Sequence, residues 1–168
     1  MEQIQRIVEH KKFQYYLNKI SQLEQGRPYC LHPIEHSLDV ARIAYILWLE
    51  EGIKNCQVSL PNFHIKKCIY AAALLHDIGR FRQYLYGERH PEASYLLAQS
   101  ILDDTGFETP EQEIILDAIR FHNRNESEHA MTRIFQKADR YSRTCWKCRE
   151  QSSCYKLSEM DTRHGIIY

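Results

Sequence analysis

The sequence predicts an all-α fold, a single helical bundle of about six helices with an irregular, cysteine-containing C-terminal tail. Apolar residues recur at helical spacing in almost every long segment, prolines and glycines stand where helices should begin and end, and no period-2 alternation is long enough for a strand. The first helix runs from Gln3 to about Leu23 on Ile4, Ile7, Val8, Phe13, Tyr16, Leu17 and Ile20. Pro33 suits the first turn of the second, whose Ile34, Leu38, Val40, Ile43, Ala44 and Leu47 lead to a stop near Gly52. Pro61 opens the third, which ends around Gly79, and Pro91 begins the fourth, closed by Gly106. Thr109 as N-cap, Pro110 at N1 and Gln112 at N3 start the fifth. The run "EHAMTRIFQKADRYSR" makes the sixth. Residues 1–143 are expected to form the helical body, including the N-terminal helix, with residues 144–168 packed on it as the tail.

At 168 residues, 43% hydrophobic and 26% charged, the chain fits one globular domain with a sizeable core. Its formal charge is zero and its pI about 7.1, so overall electrostatics would hold it to neither nucleic acid nor an anionic membrane. It has no basic stripe and no repeated basic–aromatic pattern, which argues against direct nucleic-acid binding. The start, "MEQIQRIVEHKKF", has no apolar signal-peptide core. The apolar runs Ile43–Leu49 and Cys68–Leu75 fall far short of the roughly 18–20 residues that span a bilayer. The expected compartment is the cytoplasm.

The most hydrophobic stretch, "AALLHDIGRF", ends in adjacent His76 and Asp77. Adjacent helical side chains diverge by about 100°, so the two need partners from other segments to share a ligand. Candidates are His36 in "HPIEHSLDVARIAYIL", His90 in "GERHPEAS", His122 in "AIRFHNR" and Asp139 in "QKADRYSR". Any one of these residues alone would be read as structural or solvated. Together, four imidazoles and two carboxylates on successive helices suit a dinuclear site for divalent iron, manganese or a similar ion, with Asp77 as a possible bridge.

The order His36…His76-Asp77…His90…His122…Asp139 resembles the extended signature of the HD-domain metal-dependent phosphohydrolases. "AALLHDIGR" is similar to that superfamily's central motif, and "HSLDVARIA" and "KADRYSR" to its first and last. The likeness spans Tyr29 to Arg143. It implies that His36, His76, Asp77 and Asp139 hold one metal ion, and that His90 and His122 hold a second with Asp77 bridging. It implies hydrolysis of a phosphoester or phosphoanhydride in a small phosphorylated metabolite or nucleotide by metal-activated water. The two additional histidines resemble those of dinuclear members, among them the bacterial hydrolases that split diadenosine tetraphosphate symmetrically. After His122, however, "NRNE" replaces the Thr-Thr-Gly of that subfamily, so its substrate does not carry over. The same ligand set resembles that of the di-iron oxygenases of this fold, similar to myo-inositol oxygenase. A non-catalytic metal-binding regulatory module is the third class; against it, no ligand of the signature is missing.

Arg80 is the first candidate for a phosphate contact, since guanidinium geometry matches phosphate oxygens. Arg140 and Arg143 follow, then Arg120 and Arg124. Selectivity is expected in Arg82–Glu88 and Asn123–Glu128, with Tyr84, Tyr86 and Tyr141 as candidates to stack on a base. Of six cysteines, Cys56 and Cys68 stand alone, while Cys145, Cys148 and Cys154 give C-x2-C-x5-C. With Cys30 they would complete a second metal site, a structural zinc or an iron–sulfur cluster, for which His32 or His164 are alternative fourth ligands. Small bacterial HD proteins with a Cys-rich C-terminal tail are similar in this respect. His32, four residues before His36, has a second reading as a contact to substrate or to the metal ligands, and Glu35 a weaker one. His10, His64, His129 and His164 have no motif context.

Overall fold

The computed structural model describes residues 1–52, 62–124 and 130–168. Among these residues every regular element is helical. The α-helices are α1 (Glu2–Glu9), α2 (Lys11–Leu23), α3 (Ile34–Leu47), α4 (Asn62–Leu75), α5 (Arg80–Tyr86), α6 (His90–Thr105), α7 (Thr109–Phe121) and α8 (Ala130–Tyr141). One π-helical turn, Trp48–Gly52, extends α3, and residues 145–163 form four short 3-10 turns. Cys56, Pro61 and His129, and part of the expected selectivity segment after His122, lie outside the described residues.

Helix α4 is the axis of the bundle. Ile65, Cys68, Ile69, Ala71, Ala72, Ala73, Leu74 and Leu75 are all buried, and a helix apolar on every side has to be surrounded. It packs against α3 and α7 and also touches α1; α8 lies across α3, and α6 across α7. Phe13, Phe135, Ile101 and Ile115 complete one continuous core. No helix among the described residues is long and apolar enough to cross a membrane.

Four local details depart from the sequence pattern. The first helix breaks at His10, whose backbone is extended (φ −68°, ψ 127°). Its imidazole accepts the Lys12 N–H at 3.2 Å and lies 3.1 Å from the Asp104 carboxylate at the end of α6. A cap and a tertiary contact thus override an uninterrupted apolar period, and α1 and α2 dock on different partners. Helix α7 is capped one residue earlier than expected. Glu108, not Thr109, is the N-cap, and its capping-box partner is Glu111 rather than Gln112. Helix α4 stops at Leu75 instead of near Gly79, so His76 and Asp77 lie in the turn that follows. The short α5, with no buried residue of its own, has no strong apolar signature.

Candidate metal centre

The six residues of the signature meet where helix ends converge under the end of α4. His36 sits in the first turn of α3, His90 opens α6, His122 caps α7, and Asp139 lies in the last turn of α8. The His76–Gly79 turn is pressed against α6. A Cβ at Gly79 would come within 2.5 Å of the Ser94 nitrogen and 2.7 Å of the His90 carbonyl oxygen. The Gly79 N–H donates to the Ser94 hydroxyl at 2.8 Å. This close approach brings His90 Nε2 within 3.4 Å of Asp77 Oδ1.

Asp77 is the hub. Its Oδ2 faces His76 Nε2 at 3.1 Å and His36 Nε2 at 3.8 Å. Its Oδ1 faces His90 and His122, the latter at 3.9 Å, and accepts a 2.8 Å bond from Arg80 Nε. Asp139 Oδ1 lies 3.2 Å from His36 Nε2 and 3.9 Å from His76 Nε2. His90 and His122 approach each other at 3.1 Å between Nε2 atoms.

The outer hydrogen bonds fix the tautomers. His76 Nδ1 lies 2.8 Å from the Ala73 carbonyl and His122 Nδ1 2.7 Å from that of Ile119. A carbonyl only accepts, so both Nδ1 atoms carry hydrogen. The Ser142 hydroxyl donates to the Asp139 carbonyl at 2.7 Å and therefore accepts from His36 Nδ1 at 3.2 Å. In His76 and His122 the Nε2 lone pair is left for the centre, the arrangement found in metal-binding histidines, whereas that of His36 accepts an Arg143 N–H at 2.8 Å, which an ion would have to displace.

Electrostatics reinforce this. Burial depresses His36 and His122 to about 4 and His90 to about 2, which keeps these imidazoles neutral near pH 7. Burial opposes charge on His76 as well, but Asp77 and then Asp139 outweigh it and hold His76 above its ordinary value. Asp77 stays ionised well below the usual carboxylate range: Arg80 and His76 overcome its burial. Asp139 does the same through the adjacent His36, 3.2 Å away, and Arg143.

The donor set fits a metal on an independent count. His76 Nε2, Asp77 Oδ2 and Asp139 Oδ1 are buried, face one another and have no hydrogen-bond partner. Buried polar atoms left in this way cost about 1–3 kcal/mol each, and a divalent cation between them would satisfy all three. Imidazole nitrogens and carboxylate oxygens suit iron, manganese and related ions.

A cavity of about 220 Å³ opens over the centre, lined by His32, His122 and Asp139 at its base. Arg27, Arg80, Arg124, Arg140, Arg143 and Lys156 line it and outnumber the two carboxylates of its wall, Asp139 and Glu159. Its aromatic residues are Tyr29 and Tyr155, neither marked in the sequence. Tyr84 instead bonds Glu24, Tyr86 is exposed, and Tyr141 stacks on Tyr168. Arg82 pairs with Glu88 at 2.9 Å, and Arg120 lies over the Tyr95 ring. Asn123 and Arg124 do line the cavity, and the segments from residue 27 to 30 and 154 to 160 supply most of the remaining wall.

His32 is not on α3, which begins at Ile34; it is held from the preceding loop by Glu24. The carboxylate of Glu24 accepts the His32 N–H at 2.8 Å and binds the ring at Nδ1. His164 is exposed, and its Nε2 accepts from Arg163. Cys30, Cys145 and Cys154 share the cavity wall. The Cys145 thiol is pushed up first by burial and then by the nearby Cys30, Cys154 and Cys148. Cys30, Cys148 and Cys154 thus lie near Cys145, although no three of the four sulfurs fall within 4.8 Å of one another, and none is in a disulfide.

A protein-family model described as HD domain matches residues 34–144. An uncharacterized protein of Clostridium beijerinckii is 34% identical over 154 residues, spanning 92% of this chain and 92% of its own length. No solved structure matches the chain.

Proposed function

Because the chain belongs to the HD domain family, whose members are generally metal-dependent hydrolases, we propose that it is a phosphohydrolase of small phosphorylated metabolites or nucleotides. The observation that carries this reading is the juxtaposition of buried, unpartnered metal-binding atoms with a cavity lined by six cationic side chains. His36, His76, Asp77 and Asp139 would hold one ion, and Asp77, His90 and His122 the other. When bound, two divalent ions, with iron or manganese favoured, supply Lewis acidity and a water acidified to near neutral pH. Asp77, with one oxygen toward each histidine pair, would be shared between the two ions, and Arg80 fixes its orientation through the 2.8 Å bond. Arg80 also lines the cavity, where its remaining N–H groups can meet a phosphate. The other cations of the rim orient the anion and exclude neutral ligands. The partner in this reading is a small phosphorylated molecule in the cytoplasm, not nucleic acid or membrane.

We further propose that Cys30, Cys145, Cys148 and Cys154 hold a second, thiolate metal site, structural zinc or an iron–sulfur cluster. Its support is the approach of one cysteine ahead of α3 to three in the tail, with the tail forming part of the cavity wall.

The test is the elemental content of anaerobically purified protein, followed by phosphate release from a panel of nucleotides and phosphoesters. Two equivalents of metal bound outside the cysteines, and phosphate release abolished together with that metal in His76→Ala/Asp77→Ala, are expected. Turnover that consumes dioxygen, or a folded wild-type protein with no metal outside the cysteines, would overturn the reading.

A further inference from the structure

The family signature accounts for four histidines, yet five point into this centre. His32 is as buried as the others, with a side chain only 3% exposed. Its Nε2 lies 3.8 Å from Asp77 Oδ2, the same separation as His36 Nε2. The His32 and His36 rings are 5.9 Å apart in an edge-on arrangement, similar to the 5.5 Å between His36 and His76.

The orientation of the ring is over-determined. Glu24, itself buried, takes the His32 backbone N–H on one carboxylate oxygen and Nδ1 on the other. Tyr84 donates its hydroxyl to that second oxygen at 2.7 Å, and its own oxygen lies 3.3 Å from Nδ1. Two acceptors therefore surround Nδ1, which places hydrogen there and the lone pair on Nε2. That lone pair is aimed at an ionised carboxylate. Two acceptors face each other across a buried gap, an arrangement that repels unless a cation lies between them. A histidine whose far nitrogen is held by a carboxylate is also the commonest support of a metal ligand.

We propose that His32 is a seventh protein ligand of the metal centre, on the Oδ2 side of Asp77, held in its ligating orientation by Glu24 and Tyr84. The inference rests on the dinuclear reading above and deepens it. His32, His36, His76, Asp77 and Asp139 then surround one side of the centre, against Asp77, His90 and His122 on the other. The richer side is nearly filled by protein. The poorer side keeps positions for water and substrate. Three imidazoles on the filled side also favour iron, cobalt or zinc over magnesium.

Cobalt(II) is the probe. Metal-stripped wild-type protein is reloaded with cobalt, the stoichiometry and affinities are measured by calorimetry, and the exchangeable, strongly shifted imidazole N–H proton signals are counted by NMR. Two equivalents of cobalt and five such signals are expected, one per ligating histidine, with one signal lost in His32→Gln. In that variant one of the two cobalt affinities should fall by more than the about 10–100-fold that loss of a supporting contact costs, and the visible cobalt spectrum should change. Glu24→Gln should weaken binding within that range while keeping the wild-type spectrum. Two bound cobalt ions with only four shifted signals would overturn the role of His32 and leave the dinuclear centre standing. So would a His32→Gln spectrum identical to wild type. A folded wild-type protein that takes up no cobalt would overturn the dinuclear reading itself, and His32 with it. The wild-type signal count is decisive even if His32→Gln fails to fold.

Discussion

Gly79 offers the sharpest test of how the fold builds the centre, because its requirement is steric rather than conformational. Its φ of −82° is open to any residue, so the backbone alone would accept alanine. Space would not. An alanine Cβ would lie 2.5 Å from the Ser94 nitrogen, 2.7 Å from the His90 oxygen and 2.8 Å from the Ala93 Cβ. Two of the three are backbone atoms in the first turns of α6, which cannot swing aside. Relief to the 3.4 Å of ordinary contact requires α6 and the turn to separate by about 0.9 Å. Overpacking of this kind costs about 1–3 kcal/mol, and stretching the Gly79–Ser94 hydrogen bond adds about 1 kcal/mol. The same displacement moves His90 away from Asp77, now 3.4 Å apart. A 1 Å error at a reacting centre can cost about 10²-fold in rate. Gly79→Ala should therefore lower the urea-unfolding free energy by about 2–4 kcal/mol and weaken one of two bound metals selectively. Gly165→Ala, with nothing within 4 Å of its Cβ, is the neutral control. A Gly79→Ala protein with the wild-type urea midpoint and two metals of unchanged affinity would refute the steric argument.

Glu111 makes a prediction that does not involve the metals. It is buried, 2.6 Å from both Lys67 Nζ and His64 Nδ1, and it closes the cap of α7. Glu111→Gln leaves the buried Lys67 charge unpaired and should cost about 3–5 kcal/mol at pH 7. Burial works against its charge, but the Lys67 and His64 bonds prevail and depress the Glu111 pKa below its ordinary 4.5. The folded state then binds fewer protons than the unfolded one, so the advantage of Glu111 is full above pH 4.5 and fades as the pH falls through its depressed value. Urea titrations of both proteins from pH 7 to pH 3 should show a gap that narrows toward the acid end, and a gap independent of pH would contradict the assignment. Cys145→Ser/Cys148→Ser should remove one zinc, or the visible absorption of a cluster, and leave the two other metals bound. Loss of those two as well, in a folded variant, would place the cysteines in the catalytic centre instead.

The sequence made the site legible because its chemistry is carried by residue types that are rarely buried together. His76-Asp77 after an apolar run is conspicuous without coordinates, and the proline and glycine punctuation placed α6 well: Pro91 in its first turn, Gly106 at φ 78° past its end. The features that escaped depend on distant partners. His10 breaks a helix by reaching Asp104, 94 residues away. Glu108 caps α7 because Glu111 completes a box that Thr109 and Gln112 also seemed to offer. The cavity aromatics Tyr29 and Tyr155 come from a loop and a turn with no period to mark them. Glu24 lies at the end of α2, and only the turn at Gly26, with φ 75°, brings it back to His32. Local periodicity encodes none of these closures.

The hydrophobic run and the polar pair at its end are two parts of one device. Burying an imidazole disfavours its protonated form, and it is the neutral form that donates to a metal. In His36, His90 and His122 burial is the largest influence on the pKa, and in each it outweighs the neighbouring carboxylates. The carboxylates need the opposite treatment, and Arg80 and Arg143 supply it by keeping Asp77 and Asp139 ionised at the same depth. The core therefore prepares these three imidazoles and both carboxylates in their metal-ready protonation states before an ion arrives, while His76, held above its ordinary value by Asp77, gives up a proton as the ion binds. It does so at a cost in stability, since His76, Asp77 and Asp139 each keep a buried atom without a partner. A bound ion offsets that cost, so metal affinity and folding stability draw on the same contacts.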